Sequence, residues 1–173
     1  MSTSDIIPST PVNEPSPLSE LVKSILALGL QAAPYDGNAD CPAVQVPVEG
    51  LLKLLTKLRT DSDFNFDMLS SHTAVDRLEQ NVFELVYYLY SLAHQKRLRV
   101  SVLIPRENPV APTCSGIWKI AEWQEREVYD LFGVCYDGHP DLRRVFLEDE
   151  WQGFPLRKDY HDDFMLTREP IES

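Results

Sequence analysis

Two neighbouring runs constrain this chain most: "NVFELVYYLYSL" over 81–92 and "RLRVSVLIP" over 97–105. Both alternate with the two-residue period of a strand. In the first, Phe83, Leu85, Tyr87 and Leu89 alternate with Val82, Val86, Tyr88 and Tyr90. Both of its faces are therefore apolar, and the strand is expected at the centre of a sheet. In the second, Leu98, Val100, Val102 and Ile104 face one way and Arg97, Arg99 and Ser101 the other, until Pro105 ends the run. "AHQK" joins the two closely enough for an antiparallel hairpin.

Helical periodicity surrounds this pair. Ser16-Pro17 reads as an N-cap with proline in the first helical position, and "LSELVKSILALG" repeats its apolar residues at helical spacing until Gly29, which predicts a helix over 17–28. "AVQVPV" predicts a short strand that Pro47 places near an edge or exit. "EGLLKLLTKLR" puts Leu51, Leu52, Leu54, Leu55 and Leu58 on one stripe of a second helix. A weaker strand is expected at about 65–75, a loop over 106–113, and a third helix from about Ser115 to Phe132. No sustained period follows Gly133.

The resulting expectation is a single α+β domain, a small and mostly antiparallel sheet flanked by helices, with a long irregular C-terminal extension. Residues 1–15, rich in Pro, Ser and Thr, are expected to be a disordered lead, 16–145 the domain, and 146–173 an extended tail. At 173 residues, 43% of them hydrophobic, the chain is long enough to bury a core.

Charge excludes several functions. Sixteen basic residues against 27 acidic ones leave a formal net charge of −11, which disfavours nucleic acid and anionic lipid as partners. No apolar run approaches the ~20 residues that a membrane-crossing helix needs, so direct insertion is not expected. The opening residues have neither a basic region nor an apolar one, so neither a secretory signal nor a transit peptide is expected. Cys41, Cys114 and Cys135 show no paired spacing. Cys135 and His139, four positions apart, make at most half a metal site with no second half in view. Free thiols in a reducing compartment are the plain reading.

The densest stretch is "EWQEREVYDLFGVCYDGHPDLRR", 122–144. On a helical wheel Ile117, Ala121, Gln124, Val128, Leu131 and Phe132 form the core face, and Gly133 supplies a left-handed stop. Glu125 and Glu127 flank that stripe on opposite sides, so they cannot face each other across a cleft as a catalytic pair; a partner such as Asp159 or Asp162 stays open. Trp123, Arg126 and Asp130 share the far face, with Arg126 and Asp130 spaced for an i,i+4 ion pair. A tryptophan opposite the core face, beside an arginine and near Tyr129, has the composition of a protein interface. The other reading is that the helix is buried on both sides by its own C-terminal extension. His139-Pro140 fits a structural turn. Arg143, Arg144, Arg157 and Lys158 form a basic patch that either meets a partner's carboxylates or pairs with Glu125, Glu127 or Asp130. No glycine-rich phosphate loop and no nucleophile–base arrangement are present, so an enzyme acting alone, such as a carboxylate hydrolase, is the minor reading.

Glu125-Arg126-Glu127, then Asp130-Leu131-Phe132, six residues, His139, three residues and Arg143 resemble the signature of the respiratory complex I 30-kDa subunit family, whose members are lettered C in the bacterial enzymes and J in the cyanobacterial and plastid ones. "GIWKIAEWQEREVYDLFGV" and "GFPLRKDY" resemble the flanking blocks, and the likeness covers about 64–161. The resemblance implies a cofactor-free subunit in the peripheral arm of a proton-pumping NADH (or ferredoxin):quinone oxidoreductase, or the equivalent subunit of a membrane-bound hydrogenase or other complex I relative. It implies packing against the 49-kDa-type quinone-site subunit and the small Fe–S subunit, with the two-cluster ferredoxin-like subunit as a further neighbour. Fe–S clusters and quinone would belong to those partners, and the chain would sit on the cytoplasmic or stromal face of an energy-transducing membrane. Expected contact or contact-supporting residues are Trp123, Glu125, Arg126, Glu127, Tyr129 and Asp130 on the helix, His139, Asp141, Arg143 and Arg144 after it, and Arg157, Lys158, Asp159 and Tyr160 in the tail. Phe154 stands where many relatives have histidine, so no role resting on a histidine there transfers.

Overall fold

A computed structural model describes residues 19–161. The hairpin forms as its alternation demands: β4 (Val82–Ser91) and β5 (Lys96–Pro105) pair antiparallel along their length, from Val82 opposite Pro105 to Ser91 opposite Lys96. Before them, β3 (Met68–Arg77) pairs antiparallel with β4 and carries an irregularity between Leu69 and Ser71. The weak strand expected at 65–75 is thus a full ten-residue edge strand, shifted toward its C-terminal end.

On the other side of β5 lies β2 (Ala43–Gln45), which pairs with it in parallel, and outside that the two-residue β1 (Ala33–Pro34). The sheet order is β1-β2-β5-β4-β3. The single parallel pairing follows from connectivity, because α2 (Val48–Thr60) carries the chain away from β2 before the meander begins.

Leu51, Leu54, Leu55 and Leu58 of α2 are fully buried, as the leucine spacing predicts, but Leu52, expected on the same stripe, is 37% exposed because its position turns it to the edge of the buried face. α1 spans Glu20–Leu26 and is capped by Ser19, whose hydroxyl accepts from the Val22 N–H at 3.3 Å. The cap expected at Ser16-Pro17, most of the lead and the end of the tail lie outside the described residues. Val22 and Ile25 of α1, the α2 leucines and Val128 and Phe132 of the third helix join Val44, Phe83, Leu85, Tyr87, Val100 and Val102 in one core. The helices contribute to this core on one side of the sheet.

That third helix, α3, is Ala121–Phe132 and starts later than its periodicity suggests. Residues 115–120 turn instead, with the Ile117 and Trp118 N–H groups donating to the Cys114 carbonyl. Trp118 is pulled inward, where its indole N–H donates to the Phe66 carbonyl at 3.2 Å. Gly133 ends the helix at φ +75, as expected of a left-handed stop. Two short strands that no periodicity marks, β6 (Val110–Pro112) and β7 (Cys135–Asp137), form a separate parallel pair beyond α3. The segment from 146 to 161 has no regular structure but is bonded back onto the domain at several points.

Candidate functional site

The signature residues converge on α3, which holds the chain that follows it. Asp130 is fully buried on the helix. Its Oδ2 accepts the backbone N–H groups of Val145, Phe146 and Leu147 at 2.9, 2.7 and 3.1 Å, and its Oδ1 accepts Arg144 Nη1 at 2.8 Å. Burial alone would raise the Asp130 pKa; the Arg144 Nη1 donor and the three N–H donors outweigh it and hold the carboxyl below its ordinary value. The expected Arg126–Asp130 pair is therefore replaced. Arg126 points to the Arg143 and Arg144 carbonyls, both at 3.2 Å, and lies over the Trp123 ring at 4.8 Å. Wheel geometry places two side chains on one face, but a better donor set from a distant loop decides which pairs form.

Arg144 spends its remaining donors on the chain behind it, the Asp130, Trp151 and Gly153 carbonyls. Arg157 repeats the device: its Nε donates to the Phe132 carbonyl at 2.6 Å while its guanidinium sits 4.6 Å from the Phe154 ring centre. Phe154 also lies edge-on to Tyr129 at 6.5 Å. Asp159 pairs with Arg106 at 2.7 Å rather than with Glu125. The backbone N–H of Lys158 donates to Asp76 at 2.8 Å, its own side chain exposed. Tyr160 packs against Gly153, where an added Cβ would stand 2.9 Å from its ring.

On the opposite flank of α3, Glu125 is fully buried and accepts the Thr113 hydroxyl and the Cys114 N–H, the latter at 2.7 Å. Burial dominates here and raises its pKa. His139 places Nε2 at 3.1 Å from the Glu122 carbonyl, to which it donates, and its Nδ1 accepts the Asp141 N–H at 3.0 Å. Both ring nitrogens are thereby engaged, the structural turn that His139-Pro140 suggests. Glu127 stands exposed on the other side of the helix, so the two glutamates do not face each other.

The predicted set thus divides. Glu125, Arg126, Asp130, His139, Arg144 and Arg157 have partners within the chain and weld α3 to the loops around it, while Asp159 ties the tail to Arg106. Trp123, exposed by 58%, and the exposed Glu127, Asp141, Arg143 and Lys158 remain outward, with Arg143 and Asp141 paired at 2.9 Å. Phe146 and Leu156, whose backbones bond to Asp130 and Leu131 of α3, are also 63% and 50% exposed. Sequence reasoning missed the acceptors deeper in the sheet. Asp76 takes Arg106 through both carboxylate oxygens, and Glu84 takes Arg77, Arg99 and Ser101. An acidic residue inside an apolar strand was their one signal, and its partners depend on strand register. His72 was also missed; it is buried, with Nδ1 donating to the Val86 carbonyl and Nε2 accepting from Tyr136, and burial lowers its pKa to about 4.

Among the described residues no three His, Cys, Asp or Glu side chains are grouped to hold a metal, and no helix is long and apolar enough to cross a membrane.

Against known proteins, residues 44–163 match the family described as respiratory-chain NADH dehydrogenase, 30 Kd subunit. The C subunit of the NADH-quinone oxidoreductase of Moorella thermoacetica is 44% identical over 71% of this chain and 82% of its own length. Its counterpart in Geobacter metallireducens is 42% identical over 68% of this chain and 72% of its own. Among solved structures, a chain of the archaeal membrane-bound sulfane sulfur reductase superposes with a TM-score of 0.71 at 28% identity, covering 85% of each chain. The trypsin-resistant fragment of Nqo5 superposes with a TM-score of 0.58 at 30% identity, covering 70% of this chain and 96% of the fragment.

Proposed function

The chain belongs to the respiratory-chain NADH dehydrogenase 30-kDa subunit family, and from that membership we propose that it is a cofactor-free positioning subunit of such a membrane complex. The observation that carries this reading is the family match itself, which spans the whole signature from Glu125 to Arg143 and the tail as far as Tyr160. The geometry supports a positional role. The buried charges of α3 are satisfied inside the chain, so the helix is a rigid mount. What it presents outward is an aromatic and a few charges, the residue types that anchor interfaces.

In this reading the chain lies in the peripheral arm on the cytoplasmic or stromal face of the membrane. It holds the 49-kDa-type quinone-site subunit and the small Fe–S subunit in register, near the two-cluster ferredoxin-like subunit. The clusters and the quinone reside in those partners; the complex oxidises NADH or ferredoxin and pumps protons. The superposition on a chain of the sulfane sulfur reductase favours a second reading, the equivalent subunit of another complex I-like enzyme.

The test is purification of the assembled complex through a tagged full-length chain. Arg143→Glu reverses an exposed charge whose ion-pair partner among the described residues is the exposed Asp141, and should lower the yield of assembled complex with the chain's own unfolding temperature unchanged. Arg126→Glu is a poor probe, because Arg126 is internal and its reversal would damage the fold. Normal assembly of Arg143→Glu would remove that residue from the interface. Turnover by the purified chain alone, or a bound metal or flavin, would sink the positional role.

A further inference from the structure

The central strand β4 is apolar on both faces, yet the helices of the described chain share a core with only one of them. Register places the other face residue by residue. Val75, Glu84 and Leu103 form one transverse row, Thr73, Val86, Ser101 and Gln45 the next, then Ser71, Tyr88, Arg99 and Ala43, and finally Met68, Tyr90 and Arg97. Val86 is buried but stands apart from the core cluster, and Tyr88 and Tyr90 are half-buried. Leu103 is 39% exposed. The chain's own Tyr35, Asn38 and Asp40 lie against the middle of this face. What stays open around it, Leu103 with the half-buried Tyr88 and Tyr90, shares no core with the described helices and has the make-up of a contact surface.

Its charges show what would cover it. Three arginines, Arg77, Arg97 and Arg99, lie on this face against Glu84 and, at the rim, Asp40, on a chain whose net charge is −11. Glu84 is only 2% exposed beneath Arg77 and Arg99, at 2.6 and 2.7 Å. Tyr35 lies over Arg99 at 4.2 Å, and Arg99 Nε has no acceptor among the described residues. Arg77 is 43% exposed despite its pair, and Arg97 is exposed. The face is thus a local reversal of sign, with a rigid charged centre and arginine forks at its border.

We propose that this face of the sheet, which the described helices leave open, docks a neighbouring protein chain whose contact surface is apolar and brings carboxylates to Arg77 and Arg97. The inference rests on the reading of the chain as an assembly subunit and adds to it a second surface, on the side of the sheet opposite to the core that α3 joins. Tyr88, Tyr90 and Leu103 supply the apolar anchors and the two arginines set orientation.

The experiment uses the complex isolated through the tagged full-length chain. With Arg97→Lys, a carbodiimide that joins amines to carboxylates without a spacer should create a link from position 97 to an Asp or Glu of another subunit, absent from the parent chain. Tyr90→Glu combined with Arg97→Glu should reduce recovery of partner subunits by about tenfold. Lys53→Glu, on the outer face of α2, should leave recovery within about twofold. Links from position 97 only to this chain or to a second copy of it, or recovery of the double variant within about twofold of the parent, would overturn the inference. The assembly reading would survive both results, since the parent chain still recovers its partners; a parent chain that recovers none would overturn the two together. Arg97→Lys preserves the charge and the strand, so the crosslink decides even where the double variant fails to fold.

Discussion

Two carboxylates on one helix respond to burial in opposite directions, and donors explain the difference. Asp130 is met by an arginine and three backbone N–H groups and stays ionised; Glu125, with a hydroxyl and one N–H as its close donors, is pushed toward protonation. Their contributions to stability therefore carry opposite signs. Asp130 binds its proton less readily folded than unfolded, so its contribution is complete above the ordinary aspartate range near 4 and is lost as pH falls through the depressed folded value. Glu125 binds its proton more readily when folded, so its contribution is present in acid and declines as pH rises from the ordinary glutamate range through the raised folded value. Unfolding measured against pH should show Asp130→Asn losing about 3 kcal/mol near neutrality together with the acid-side slope, because Arg144 is left without its charge partner. Glu125→Gln should flatten the decline above about pH 4.5; an unchanged profile would mean that Glu125 ionises freely in the fold.

At the scale of elements, the end of α3 and the chain behind it behave as one unit. Leu156 N–H donates to the Leu131 carbonyl and Arg157 to that of Phe132, so the tail caps the last turn of the helix. Gly133 makes this possible twice over: its φ is +75, and a Cβ there would lie 2.5 Å from the Phe154 ring and 2.6 Å from Arg157 Nη2. Gly133→Ala should cost about 2 kcal/mol and expose 148–161 to limited proteolysis before the sheet unfolds. Phe154 is a platform for Arg157 and Arg144, 4.6 and 5.4 Å from its ring. Phe154→Ala should loosen the same segment by about 1–2 kcal/mol and leave β3 to β5 intact, as hydrogen exchange would report. The tail, whose Arg157, Lys158, Asp159 and Tyr160 are expected to serve contacts with partners, is, as far as Tyr160, first a strap on its own domain.

For the whole molecule, the consequence is a separation between residues that hold the chain together and residues that hold it to others. Trp123 belongs to the second kind: 58% exposed, with Arg126 against one face of its ring. Trp123→Ala should change the free chain's stability by no more than about 0.5 kcal/mol while weakening assembly by about 2 kcal/mol or more, as loss of a hot spot does; co-purification yields and thermal unfolding, compared side by side, check both halves. The sequence by itself determined the hairpin, the two leucine- and valine-striped helices, the Gly133 stop and the family signature, because each is written in a local period or an ordered motif. It did not determine β1, β6 and β7, two or three residues long and paired with distant chain, which carry no period to detect. Nor could it say whether Arg144 and Arg157 faced a partner or their own helix. That choice depends on which carbonyls and carboxylates the fold brings within about 3 Å of a guanidinium, and only tertiary structure sets such distances.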